Sequence, residues 1–164
     1  MNQQFRTGFG LDVHALSKNR KLILGGIEIP HTKGLTGHSD ADALLHSITD
    51  ALLGALALGD IGQHFPDTDT KFKDADSSFF LGETFRMVKE HGYSIGNIDS
   101  MISLQEPKIA EYILRMRENI SSILKVELDQ VSVKAGTNEK LGFVGKEEGI
   151  AVYSTVLLIK NNKI

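Results

Sequence analysis

Asp12 and His14 stand two positions apart in the run Phe5 to His14, which has the composition and alternation of a β-strand. Side chains at that spacing leave the same face of a strand, so a carboxylate and an imidazole can converge on one point. Farther along, His46 falls within a helical pattern that starts near Asp40, on a polar strip with Asp42 and Asp50 at four-residue spacing. That strip is expected to look outward, away from Leu44, Leu45, Ile48, Leu52, Ala55 and Leu56. One carboxylate and two imidazoles suit a divalent ion of the zinc type, and three protein ligands leave a fourth position open for a substrate. Spacing leaves His38 as a second candidate ligand. His31, His64 and His91 have no convergent partner in the pattern and read as surface or capping residues.

Composition narrows the chemistry. The 164 residues contain no cysteine, which excludes disulfides and thiolate catalysis and leaves any metal to His and carboxylate ligands. Lys and Arg number 18 against 21 Asp and Glu, and the net charge of −3 gives no general attraction to nucleic acid or to an anionic membrane. A phosphorylated ligand would have to be held by local donors. The longest apolar stretch, Ala51 to Leu58, is far short of the roughly 18 to 20 residues that span a bilayer. Met1 to Arg6 lacks the apolar core of a signal peptide, so a cytoplasmic protein is expected.

The elements that must position these residues can be read in order. Lys21 to Leu24 and Gly26 to Ile29 are short extended pieces around a Gly-Gly turn, closed by Pro30. The first helix runs from about Asp40 to near Gly59, with Ser39 or Asp40 as its N-cap. Gly62 to Ala75 has turn residues and no period and is expected to be a loop. A second helix covers about Ser77 to His91, with Gly92 as its stop. A strand follows from Ser94 to Gln105, and Pro107 is placed as the first-turn proline of a third helix carrying Ile109, Ile113, Met116, Ile120 and Leu124. Val131 to Ala135 and Ile150 to Ile159 complete the set as strands. With no internal repeat or linker, the pattern implies one α+β domain over residues 1–164, a two-layer sandwich with three helices on one face of a mixed sheet. The other face of that sheet would need a partner, which makes self-association part of the expectation.

Five segments together resemble the 2-C-methyl-D-erythritol 2,4-cyclodiphosphate synthase family. They are Gly10-Leu11-Asp12-Val13-His14, His38-Ser39-Asp40-Ala41-Asp42 through His46, Asp60-Ile61-Gly62 with Phe65-Pro66-Asp67-Thr68-Asp69, Gln105-Glu106-Pro107-Lys108, and Lys134 to Phe143. Their order and spacing agree with the family from about Thr7 to Lys160. The resemblance implies a homotrimer with active sites between subunits, acting in the non-mevalonate route to isoprenoid precursors. It implies that 4-diphosphocytidyl-2-C-methyl-D-erythritol 2-phosphate is cyclised with release of CMP. It also implies Zn2+ on Asp12, His14 and His46 and Mg2+ or Mn2+ on Glu139, with His38 and Thr137 stabilising the transition state.

Substrate contacts implied by the same resemblance are Asp12, His14, His38, Ser39, Asp60, Ile61, Gly62 and Phe65 to Asp69 for phosphate, hydroxyls and carbon chain. Leu104, Gln105, Glu106, Pro107, Lys108, Ile109 and Ala110 would enclose the cytidylate, and Gly136, Thr137, Asn138 and Glu139 its phosphates. The resemblance implies Phe143 and Lys146 as contacts as well. The chain departs from the family's run of threonines at Gly136 and Asn138. Lys146 stands where many relatives have an arginine, so contact with an isoprenoid diphosphate in a central cavity would lose the planar fork that binds phosphate in two places.

Overall fold

The computed structural model describes residues 4–66, 68, 69, 72 and 75–161. Its centre is a five-stranded mixed sheet in the order β4-β1-β7-β5-β6. β1 (Phe5–Lys18), β7 (Gly149–Lys160) and β5 (Tyr93–Ser103) form an antiparallel centre, β4 (Lys33–Leu35) pairs antiparallel with β1, and β6 (Val131–Gly136) pairs parallel with β5. The Gly25-Gly26 turn, with φ of 60° and 74°, joins β2 (Leu22–Leu24) to β3 (Ile27–Ile29) in a separate hairpin.

Three helices cover one face of the sheet: α1 (Ala43–Ala55), α3 (Ser77–Glu90) and α4 (Ile113–Leu124). Their apolar stripes and the inward residues of β5, β6 and β7 make one core, including Ile48, Leu52, Leu81, Ile98, Met116, Ile120, Val152 and Val156. α1 is buried almost all round, because the sheet lies under it, α3 beside it, and the β2–β3 turn over its start. The expected α+β layering is therefore present among the described residues.

The position of α1 is dictated by two glycines. A Cβ on Gly8 would sit 1.8 Å from the Ala51 carbonyl oxygen, and one on Gly10 would sit 1.9 Å from that of Ser47. Any side chain there would push the helix off the strand. Ala51 to Ser47 spans about 6 Å along the helix and Gly8 to Gly10 about 7 Å along the strand, so helix and strand run in step. Asp12 and His14 continue the same face of β1 one step farther, directly below the start of α1.

Several boundaries differ from the sequence reading. The N-cap of α1 is Asp42, not Ser39 or Asp40. Its Oδ1 accepts from the backbone N–H groups of Leu44, Leu45 and Gly25, and its Oδ2 from that of Gly26 at 2.6 Å. Asp42 is thus fully buried, and the outward-facing strip expected for Asp42, His46 and Asp50 does not exist. β1 runs four residues past His14. Overlapping the start of the expected loop, Ile61–His64 form a short helix, α2, capped by Asp60. Pro107 precedes its helix instead of opening it: Ile109 is still non-helical, a 3-10 turn covers Ala110–Tyr112, and α4 starts at Ile113. A further short helix, α5 (Gly142–Gly145), precedes β7.

On the open face, alternate residues of the central strands present a mainly apolar surface, interrupted by Thr155 and Asp99. Leu11 lies opposite Tyr153 and Tyr153 opposite Met101, and all three are substantially exposed. Phe5, Phe9, Val13 and Ile159 extend the patch, with Phe9 60% exposed.

Candidate metal centre and nucleotide pocket

Oδ2 of Asp12 lies 2.9 Å from Nε2 of His14 and 3.3 Å from Nδ1 of His46. The three donor atoms lie within 4.8 Å of one another, and among the described residues no other group of three such donors converges in this way. Bonds of about 2.1 Å in a tetrahedral zinc site put ligand atoms about 3.4 Å apart, so little movement is needed to seat an ion. His38, the alternative ligand, lines the same cleft without joining the cluster.

The hydrogen-bond pattern explains why these atoms face one another. Nδ1 of His14 is 2.8 Å from the Thr36 carbonyl oxygen, which can only accept, so Nδ1 carries the proton and Nε2 turns its lone pair toward Asp12. Asp12 Oδ2 and His14 Nε2 are both shielded from solvent and lack a partner with hydrogen-bond angles, despite their short separation. Acceptors aimed at a shared point rather than at a donor are the signature of a cation site. Burial pushes the Asp12 carboxyl up, but its two imidazole neighbours outweigh this and hold it well below the usual range. Burial likewise lowers His14, and Asp12 more than offsets it, leaving the imidazole raised. The residues present therefore fit a zinc-like ion with a fourth position facing the cleft.

That cleft has a volume of about 810 Å³ and is lined by His38, Ser39, Ile61, Gly62, Phe65 and Phe80 besides the cluster. Phe65 packs against Phe80 at 4.8 Å between ring centroids, and Phe80 lies 6.2 Å from the His46 ring, so the segment after α2 forms an aromatic wall. Of the other residues expected near substrate, Asp60 is spent partly on its cap, accepting from Gln63 N and Nε2. Pro66, Thr68 and Asp69 lie beyond the lining, and Asp67 lies outside the described residues.

A second cavity, of about 240 Å³, is lined by Leu104, Gln105, Pro107, Lys108, Ile109, Ala110, Gly136 and Thr137. Glu106 flanks it. Asn138 accepts from the Ser103 hydroxyl, and Glu139, in a left-handed conformation at φ 50°, accepts from Thr137 Oγ1 at 2.7 Å. Phe143 is 43% exposed on α5, and Lys146 follows it at the C-cap. In register, Val13, Ala151, Ser103 and Gly136 form one row across the sheet, so both cavities sit at the same end. Within one chain, however, β7 and β5 separate β1 from β6, a distance of about 14 Å at ordinary strand spacing.

The YgbB family model matches residues 5–159. The chain belongs to the YgbB family. Two relatives are 58% identical to it: the 2-C-methyl-D-erythritol 2,4-cyclodiphosphate synthase of Prosthecochloris aestuarii, over 93% of this chain and 98% of that one, and that of Bacillus mycoides, over 95% and 99%. Among solved structures, the bifunctional IspDF of Campylobacter jejuni superposes with a TM-score of 0.93 and 46% identity over 96% of this chain, which corresponds to 43% of that longer protein. The Plasmodium falciparum IspF in complex with CDP superposes with a TM-score of 0.86 and 35% identity over 99% of this chain and 100% of that one.

The YgbB chain also uses residues that the motifs did not single out. Arg20 lines the cleft, donating from Nε to the Leu35 carbonyl oxygen and from Nη2 to that of Gly37, which fixes the segment leading to His38. A lone arginine in a turn carries no sequence signal for that role. Ser77 touches the far side of His46, and only the folded arrangement reveals it.

Proposed function

We propose that this chain converts 4-diphosphocytidyl-2-C-methyl-D-erythritol 2-phosphate to 2-C-methyl-D-erythritol 2,4-cyclodiphosphate and CMP, as a cyclising phosphorus–oxygen lyase of the non-mevalonate isoprenoid route. An oxygen of the 2-phosphate attacks the β-phosphorus, the bond from that phosphorus to the bridging oxygen breaks, and CMP leaves with the electron pair. The observation that carries this reading is 58% identity to cyclodiphosphate synthases over nearly the full length of both chains. The reaction opposes two anions, so it asks for charge neutralisation and in-line folding of the substrate more than for covalent chemistry.

Zn2+ held by Asp12, His14 and His46 would polarise a β-phosphate oxygen, and Mg2+ or Mn2+ at Glu139 would screen the α- and β-phosphates. His38 and Thr137 would donate to oxygens that gain charge as the phosphorus is attacked. Ser39, Ile61, Gly62 and Phe65 to Asp69 would hold the branched carbon chain and shield it from water. Leu104 to Ala110 would take the cytosine and ribose, with Gly136 and Asn138 offering backbone donors to the diphosphate. Phe143 and Lys146 would complete the substrate contacts.

The reading includes a homotrimer. The apolar open face gives it a surface, and the separation of the two cavities within one chain gives it a purpose, since a neighbouring copy could bring its nucleotide pocket to this chain's metal cleft. An isoprenoid diphosphate in the trimer's central cavity is the part that Lys146 weakens. A cytoplasmic location belongs to the same reading.

Purified protein with the cytidylyl substrate, zinc and magnesium, followed by phosphorus resonances, tests the proposal. The cyclic diphosphate and CMP should appear together. Release of CMP with an open-chain diphosphate would mean that water is the nucleophile and would overturn it.

A further inference from the structure

His46 is held from behind by Ser77 and Asp40, neither of which belongs to the three-donor cluster. Its Nε2 lies 2.8 Å from Ser77 Oγ, on the first residue of α3, and 3.3 Å from Ser39 Oγ. Ser77 Oγ in turn meets Asp40 Oδ1 in a short hydrogen bond, and the Ser77 backbone N–H reaches Asp40 Oδ2 at 3.0 Å. Asp40 Oδ1 also accepts from the Asp42 backbone N–H at 3.1 Å. Ser77 is fully buried, so water does not compete for its hydroxyl.

Hydrogen counting gives this chain a direction. Both Asp40 oxygens already accept from backbone N–H groups, and a carboxylate only accepts, so the single proton of the Ser77 hydroxyl must go to Asp40. Ser77 Oγ is then an acceptor toward His46, and Nε2 must carry the imidazole proton. The lone pair is left on Nδ1, the atom that lies 3.3 Å from Asp12 Oδ2. The one Nε2 proton goes to Ser77 Oγ at the shorter distance, while Ser39 Oγ, 3.3 Å from Nε2, accepts from the Ala41 N–H at 3.2 Å.

We infer that Asp40 and Ser77 form a positioning relay that fixes the ring orientation and tautomer of His46 and so presents Nδ1 to the metal. This rests on the metal reading of Asp12, His14 and His46. Both members sit at helix starts, Asp40 just ahead of α1 and Ser77 opening α3, and the Asp40 N–H is tied to the Ala75 carbonyl oxygen at 3.3 Å. The relay is therefore anchored to backbone on both sides and can hold the imidazole against rotation. Outer partners of this kind commonly change metal affinity by about 10- to 100-fold when removed.

The test titrates Co2+ into metal-stripped full-length protein and reads both affinity and the visible absorption of the bound ion, which reports ligand geometry. Ser77→Ala is expected to lose about 10- to 100-fold in affinity and to change the spectrum, while Ser77→Thr, which keeps the hydroxyl, stays close to the parent. Asp40→Asn should match Ser77→Ala, and the double variant should lose no more than either single one, because both act through one chain of bonds. Unaltered cobalt affinity and spectrum in Ser77→Ala, or fully additive losses, would overturn the relay. Nitrogen-15 spectra of the zinc-loaded parent need no variant: the His46 ring proton must be on Nε2, and a proton on Nδ1 refutes the inference even if the variants fail to fold. Failure of the parent itself to bind cobalt would sink the metal reading first and the relay with it.

Discussion

His46 Nδ1 on α1 and Asp12 Oδ2 on β1 stand 3.3 Å apart although the whole β2–β3 hairpin and β4 lie between them in the chain. Two features bring them together. Gly8 and Gly10 let α1 lie on the backbone of β1, and the Asp42 cap locks the first turn of α1 to the Gly25-Gly26 turn.

Gly10→Ala should therefore act on the metal centre without touching it. The added methyl meets the Ser47 carbonyl oxygen, and overpacking of this kind costs about 1 to 3 kcal/mol, sometimes more. Chemical unfolding should show that loss, and zinc affinity should fall with it because His46 moves away from Asp12. Unchanged affinity in a destabilised Gly10→Ala protein would mean that helix placement does not set the cluster.

His46→Ala and Glu139→Gln should separate the two cation roles. The first should lose zinc and turnover together while most of the fold remains, as expected when one of three ligands goes. The second should cut turnover far more than zinc content, because Glu139 lies on the loop after β6 and outside the three-donor cluster. Metal analysis alongside activity checks both, and equal loss of zinc in the two variants would misplace the second cation.

Asp42 supplies a pH dependence of known sign. Burial pushes its carboxyl up to about 6 from 3.8, the nearby Asp40 charge adds to this, and its backbone N–H donors pull the other way. A raised carboxyl contributes stability that is complete below the unfolded value of 3.8 and is lost as pH rises through about 6. Asp42→Asn lacks that titration. Between about pH 7 and about pH 5 the parent should gain on the order of 1 kcal/mol relative to Asp42→Asn. Parallel melting temperatures for the two proteins across that window would contradict the assignment.

Tyr153→Asp places a charge in the middle of the Leu11–Tyr153–Met101 row, on a face that takes no part in the monomer's core. If the proposed homotrimer forms through this face, sedimentation should show the variant as single chains, with zinc retained and turnover lost. An active monomer would remove the need for a site shared between copies.

How far the sequence carries this picture depends on the range of the interaction. The Asp12 and His14 pair was legible because strand periodicity is local, whereas the close approach of α1 at Gly8 and Gly10 shows only in the folded chain. The hairpin around Gly25-Gly26, the α3 boundaries and the buried stripe of α4 followed from turn chemistry and period for the same reason. The environment of His46 was not legible: a polar strip of Asp42, His46 and Asp50 reads as solvated until sheet, α3 and hairpin are known to enclose it. Ser39 and Asp40 read as the caps of α1, yet the cap is Asp42, whose carboxylate also meets the Gly25-Gly26 amides, a contact between distant segments that no local pattern encodes. Pro107 fits a helix start by composition, yet the chain becomes helical only at Ala110. Ser77 lies 31 residues from His46, and no local pattern links them.

Diffraction from zinc-loaded crystals, recorded at the zinc absorption edge, tests the centre most directly. One anomalous peak per chain is expected about 2.0 to 2.2 Å from an Asp12 carboxylate oxygen, His14 Nε2 and His46 Nδ1, with a fourth position open to the cleft. A peak held by other residues, or none at these three, would contradict the account.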